Sequence, residues 1–181
     1  GPDSNGFWVS ANQLLGLCHN RLSILDLSDA GIQPMNSLDS RYTIVFNGEI
    51  YNHSELRHFF SSKGIRFKSK TDTEVLIESY RYWGIDMLDE IRGMFSFVLY
   101  DSLEDIIFCA RDRVGKKPFI YGESDMGFFF ASEIPALVSI NQFAKIDLQQ
   151  DNSALAAMML HNLRHIPEPA TAYKGLSKLR P

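Results

Sequence analysis

The sequence predicts an α+β fold of antiparallel sheets with segregated helices, and three observations carry that prediction. Strand-like segments fall into two blocks, helix signals lie between and after them, and strand and helix never alternate in the manner of a parallel sheet. With 181 residues, 45% hydrophobic and 22% charged, the chain is long enough to bury a sizeable core. A formal net charge of -4 and a pI near 5.7 supply no overall basic field, which disfavours nucleic acid or an anionic membrane as a partner. The sequence has no apolar run approaching the roughly 20 residues of a membrane span. Its opening Gly1-Pro2-Asp3-Ser4-Asn5-Gly6 is turn-forming rather than a leader, so a cytoplasmic protein is expected.

In the first block, residues 7–9 and 14–18 are apolar runs separated by the turn-like Ser10-Ala11-Asn12-Gln13, which predicts a hairpin. Residues 41–46 are rich in β-branched and aromatic side chains and read as a strand that stops at the breaker pair Asn47-Gly48. Asn52 with Glu55, and Thr71 with Glu74, have the spacing of capping boxes, so a helix is expected after each. The first runs to Gly64; the second sets Val75, Leu76, Ser79, Tyr80 and Trp83 on one side and ends at Gly84. From Gly93, residues 94–100, 106–110, 119–121 and 128–131 predict an antiparallel meander, followed by helices over 134–138 and 153–163. Residues 166–181 read as an extended connection toward a further domain, leaving a first domain over 1–165.

Several residues carry chemistry in more than one reading. Asn47-Gly48-Glu49 offers a side-chain amide beside an unhindered backbone N–H, which is the geometry of an oxyanion hole and equally that of a hairpin turn. Arg21, in an apolar strand-like stretch, suits a substrate carboxylate or an internal ion pair with an acid such as Asp26. Asp72 in the first turn of a helix either serves the helix dipole or accepts a substrate ammonium. The charged run 111–117 reads as a salt-bridged turn in preference to an anion-binding loop. His161 and His165 have the i, i+4 spacing of a metal pair but no third ligand, and Phe128-Phe129-Phe130 reads as core strand. Cys18 and Cys109, the only thiols, read as buried free cysteines.

Taken in order, Gly1-Pro2-Asp3-x-x-Gly6-Phe7, His19-x-Arg21-Leu22-Ser23-Ile24-x-Asp26, Gln33-Pro34-Met35, Phe46-Asn47-Gly48-Glu49-Ile50-Tyr51-Asn52, Asp72-Thr73-Glu74-Val75, Gly93-Met94-Phe95 and Ala110-Arg111-Asp112-Arg113-x-Gly115-x-x-Pro118 resemble the signature of class II glutamine amidotransferases of the glutamine-hydrolysing asparagine synthetase family. Seven motifs in order are far more specific than any one of them.

The resemblance implies an N-terminal nucleophile hydrolase fold, an αββα sandwich of two antiparallel sheets, here without its first strand and helix. It implies glutamine as nitrogen donor, with Arg21 at its α-carboxylate, Glu49 and Asp72 at its α-amine, and Leu22, Ser23, Ile24 and Leu25 lining the pocket. Asn47 and Gly48 would form the oxyanion hole. The family nucleophile is an N-terminal cysteine whose own α-amine serves as base. The sequence starts after that position, so this chain alone is expected to hydrolyse no glutamine. No cofactor is implied in this domain; ATP and Mg²⁺ would serve a C-terminal synthetase domain that amidates aspartate or a related carboxylate, and a homodimer is possible. The alternative is a non-catalytic glutamine-binding or interaction module.

Overall fold

The computed structural model describes residues 4–21 and 29–181. The chain divides into two compact units, Gly1–Ala110 and Arg111–Pro181.

In the first unit, β1 (Ser4–Val9) and β2 (Gly16–Arg21) form the expected antiparallel hairpin. Its turn is closed locally, because Ser10 Oγ donates to Asn12 Oδ1 at 2.6 Å and accepts the Leu15 N–H at 3.0 Å. A second sheet has the order β3 (Met35–Asn36), β4 (Tyr42–Ile50), β5 (Gly93–Asp101) and β6 (Ile106–Arg111). The two predicted strand blocks therefore meet within one sheet. Helices α1 (His53–Ser62) and α2 (Asp72–Trp83), then the short α3 (Met87–Glu90), lie between β4 and β5 in the chain. Ile44, Phe46 and Ile50 from β4, Phe95, Phe97 and Leu99 from β5, and Phe60, Val75, Leu76 and Ile77 from the helices form one buried cluster.

The sequence reading needs correction here in three places. β4 does not stop at Asn47-Gly48 but runs on to Ile50, its ladder continuing through Asn47↔Ser96, Gly48↔Phe95 and Glu49↔Met94. A local turn preference is overridden by the arriving partner strand. Asn52 precedes α1 without capping it; its amide instead donates to the Glu90 carbonyl and accepts from the Arg92 N–H, each at 2.9 Å. The first two thirds of α2 are buried all round, from Asp72 to Ser79, rather than along one stripe.

In the second unit, β8 (Gly127–Ala131), β7 (Ile120–Ser124) and β9 (Leu176–Lys178) form an antiparallel sheet in that order. The predicted meander is thus split between two sheets. Residues 176–178, expected in an extended connection, pair with β7 and bury Leu176 in a core with Ile120, Leu137, Ala144 and Ile146. Helices α4 (Ile134–Ser139), α5 (Asn141–Ala144) and α6 (Asn152–Leu160) complete the unit. Among the described residues no helix is long and apolar enough to cross a membrane.

Candidate functional site

The candidate site is built along one edge of β4. In a strand, successive residues send their backbone N–H and C=O groups to alternate edges. The Tyr51 N–H reaches the Arg92 carbonyl, on the β5 side. The Phe46 and Ile50 N–H groups leave by the other edge and meet side chains: Gln33 Oε1 at 2.6 Å and Asp72 Oδ2 at 2.9 Å. Gly48 lies midway between them in an unbroken register, so its N–H leaves by this same edge, and no described residue accepts from it. Side chains alternate between faces as well: Ile44, Phe46 and Ile50 enter the core, which puts Asn47 and Glu49 together on the opposite face.

Gly48 is required here. Its φ is +154°, and a Cβ at this position would run into the Met94 carbonyl and approach the Phe95 Cα to 2.7 Å. The close approach of β5 fixes the height of the Gly48 amide beside the Asn47 side chain.

Asp72 occupies the first turn of α2, behind the N-cap Thr71, whose hydroxyl accepts the Glu74 N–H at 3.3 Å. The second capping signal is therefore used, although Glu74 does not reach back to the cap. Its buried carboxylate instead takes the Lys68 N–H at 2.8 Å and both the N–H and hydroxyl of Ser69 at 2.7 Å. From the other side Arg57 donates to the carbonyls of Ser69 at 2.9 Å and Thr71 at 2.6 Å, its guanidinium 4.2 Å from the Phe67 ring centroid. The turn ahead of Asp72 is thus clamped at its N–H groups and its carbonyls. Burial raises the Asp72 carboxyl above its ordinary pKa, a push offset in part by the Ile50 N–H and the neighbouring His53.

Arg21 ends β2 and is buried. Its guanidinium lies against Gly31, where a Cβ would collide with it and would also come within 3.0 Å of the Thr71 methyl. Arg21 is thereby brought beside the residue that caps α2, one position before Asp72. His19, two residues earlier, is pulled below its ordinary pKa by burial, which hydrogen bonding to the Phe46 backbone counters. The structure accordingly gathers Arg21, Asn47, Gly48, Glu49 and Asp72 around the junction of β4 with α2. Leu22, Ser23, Ile24 and Leu25, expected to line a pocket, lie outside the described residues.

Two contributors lacked any assigned role in the sequence reading, Gln33 and Arg57. Gln33 was visible only inside a motif; Arg57 carried no signal, since its partners are main-chain carbonyls. Other expectations change. Cys18 is exposed, not buried, because it sits on the outward face of the β1–β2 ribbon. Cys109 is partly buried, which pushes its thiol up to about 11 and leaves it unreactive near neutrality. The turn at 111–117 is organised by Asp112, whose carboxylate takes the N–H groups of Val114, Lys116 and Lys117 at 2.9–3.2 Å. The ion-pair partner of Arg111 in that turn is Glu168 at 2.7 Å, far along the chain. Helix α6 ends at Leu160, so His161 and His165 do not share a helical face. Among the described residues no group of three or more His, Cys, Asp or Glu is placed to hold a metal ion.

The chain carrying this strand edge belongs to the glutamine amidotransferase domain family, whose model matches residues 1–181. Among curated relatives it is 36% identical over 181 residues to asparagine synthetase [glutamine-hydrolyzing] 1 of Bacillus subtilis, covering 100% of this chain and 27% of the relative. It is 39% identical over 141 residues to asparagine synthetase B [glutamine-hydrolyzing] of Escherichia coli, covering 77% and 25%. The chain thus spans about a quarter of the length of these relatives. Glutamine phosphoribosylpyrophosphate amidotransferase from B. subtilis is similar in structure, with a TM-score of 0.60 at 21% identity over 70% of this chain and 29% of that one. That likeness bears on the fold, which is the α+β, N-terminal nucleophile hydrolase type expected from the sequence.

Proposed function

We propose that this chain is the ammonia-donor domain of a glutamine-hydrolysing asparagine synthetase, binding glutamine at the β4–α2 junction for hydrolysis to glutamate and ammonia. The observation that carries the reading is the Gly48 N–H, held open on an edge where the amides two residues before and after it are each satisfied by a side chain. A donor fixed in this way stabilises negative charge without reorganising when the charge appears. In this reading Gly48 N–H and the Asn47 amide hold the oxygen of the glutamine side-chain carbonyl as it becomes an oxyanion. Arg21 takes the α-carboxylate, and Asp72 with Glu49 takes the α-ammonium.

Glutamine hydrolysis in this site also needs a nucleophile, which in the family is an N-terminal cysteine. Neither Cys18 nor Cys109 has a free α-amine to act as its base. The ammonia would serve ATP- and Mg²⁺-dependent amidation of aspartate or a related carboxylate by a synthetase domain on the same polypeptide, consistent with the greater length of the relatives.

Glutamine titration of the ¹⁵N-labelled chain tests the site. The Gly48 and Asn47 amide signals are expected to shift, and Arg21→Ala and Asp72→Asn are expected to weaken binding at least about tenfold, the cost of one lost charge-assisted hydrogen bond. Because Asp72 must be ionised to hold an ammonium, affinity should fall on acidification, and burial, which raises this carboxyl above its ordinary value, shifts that fall toward higher pH. Asp72→Asn should remove that dependence. Saturating glutamine that leaves every amide signal in place would refute the reading.

A further inference from the structure

The edge of β4 outlasts its neighbour β3. The two strands pair only through Met35↔Ile44 and Asn36↔Thr43, and continuing that register sets Gln33 across from Phe46. At that point a side chain takes over: Gln33 Oε1 accepts the Phe46 N–H at 2.6 Å, while its Nε2 donates to Thr73 Oγ1 at 3.3 Å. Gln33, Phe46 and Thr73 are all buried, so each polar group depends on a protein partner. Phe46 stands two residues before Gly48, and Thr73 stands one residue after Asp72. The far end of the same segment is tied to the same helix, since Asp72 accepts the Ile50 N–H. Two cross-links from β4 to the first turn of α2 therefore bracket Gly48.

We propose that Gln33 is a positioning residue of the glutamine site, fixing the Gly48 N–H relative to the Asp72 carboxylate. The inference rests on the donor-site reading above. The two groups it relates would meet opposite ends of one glutamine molecule, the side-chain carbonyl and the α-ammonium. With one cross-link removed, residues 46–50 keep their ladder to β5 but remain tied to α2 at Ile50 alone, and the bracket that sets the separation is lost. Both polar atoms of the Gln33 amide are engaged within the protein, so in this reading it acts through Phe46 and Thr73.

The test follows glutamine binding and amide hydrogen exchange in the ¹⁵N-labelled chain and three variants. Gln33→Met keeps the length of the side chain and removes both bonds. Gln33→Glu keeps an acceptor for Phe46 and lets the Thr73 hydroxyl rotate to donate to it. Thr73→Val removes only the link to α2. In Gln33→Met the Phe46 amide should exchange at least about tenfold faster and the Kd for glutamine should rise about tenfold, with a smaller Gly48 shift. Gln33→Glu should stay within about threefold of the parent on both readouts, a rescue that loss of bulk packing would not explain. Thr73→Val should weaken binding while the Phe46 amide stays protected. An unchanged Kd in Gln33→Met overturns the positioning role alone; should that variant fail to fold, an unchanged Kd in Thr73→Val overturns it. No glutamine response in the parent overturns the donor-site reading, and the role falls with it.

Discussion

In the first unit a broad cluster from β4, β5, α1 and α2 includes Ile44, Ile50, Phe60, Leu76, Ile77 and Leu99, each at most 0% exposed. The second unit gathers Ile120, Leu137, Ala144, Ile146 and Leu176, while Phe143, Met159 and Leu160 are 68%, 75% and 83% exposed. Helix α6 is apolar around most of its circumference, yet only Ala154 in it is buried. The difference lies in what polar side chains are used for. In the first unit apolar packing holds the fold, so Gln33, Arg57, Glu74 and Asp72 are available to fix individual main-chain groups around β4. In the second, polar groups hold the frame itself. Arg111 donates to the carbonyls of Gly115, Lys117 and Leu179 as well as to Glu168, and Asp112 organises the turn.

Substitutions can break this contrast or sharpen it. The largest effect is expected from Gly48→Ala, which forces a Cβ into the β5 backbone at φ +154° and should cost the first unit about 3 kcal/mol or more. Both tryptophans, Trp8 and Trp83, lie in that unit, so the midpoint of fluorescence-detected urea unfolding reports it directly. An unchanged midpoint would mean the strands separate freely at Gly48. Leu137→Ala should cost about 2–4 kcal/mol in the second unit, a large share of so small a core. Amide exchange across β7 and β9 should accelerate, and unchanged exchange there would show that Leu137 does not anchor this core.

Arg111→Ala should cost about 2–3 kcal/mol, since the buried guanidinium leaves several carbonyls without a donor. The β9 amides are the place to look, and undisturbed β9 protection would assign the frame to apolar packing after all. The smallest effect is expected at the surface of the first unit, where Arg81 holds the exposed Asp39 carboxylate at 2.7 and 2.9 Å. That hydrogen bonding keeps Asp39 well below the usual carboxylate range. A depressed folded pKa gives stability that is present at neutral pH and lost as pH falls through the folded value, here only in strong acid. With solvent screening, Asp39→Asn, which leaves Arg81 on the buried Glu78 at 3.1 Å, should cost at most about 1 kcal/mol, less at high salt. A loss several times larger would place this pair among the supports of the fold.

The α+β class, the opening hairpin and both long helices were legible because their signals are local: alternation, turn residues, and Thr71 ahead of Glu74. Local signals also misled. Asn47-Gly48 carries the composition of a turn, and nothing within several residues announces that β5, more than 40 positions later, will hold it in a ladder. The Asn52 amide likewise found Glu90 and Arg92 in preference to its own helix. Leu176 joins β7 across a comparable span, which is why the tail read as a connection. Of the site, Arg21, Asn47, Gly48, Glu49 and Asp72 could be named from ordered motifs. Their common location could not, and Gln33 and Arg57 work on main-chain atoms whose identity no side-chain pattern records.

The edge of β4 has a consequence for which changes of sequence the domain tolerates. The Gly48 amide faces outward by parity, at an even step from Phe46 and Ile50. Inserting or deleting one residue between Phe46 and Ile50 reverses that parity for everything beyond the change, turning the open donor toward β5 and exchanging the faces of Asn47 and Glu49. A change in length therefore erases the site where a change in side chain away from Gly48 only weakens it, and descendants of this segment are expected to keep that glycine and the count while other letters vary.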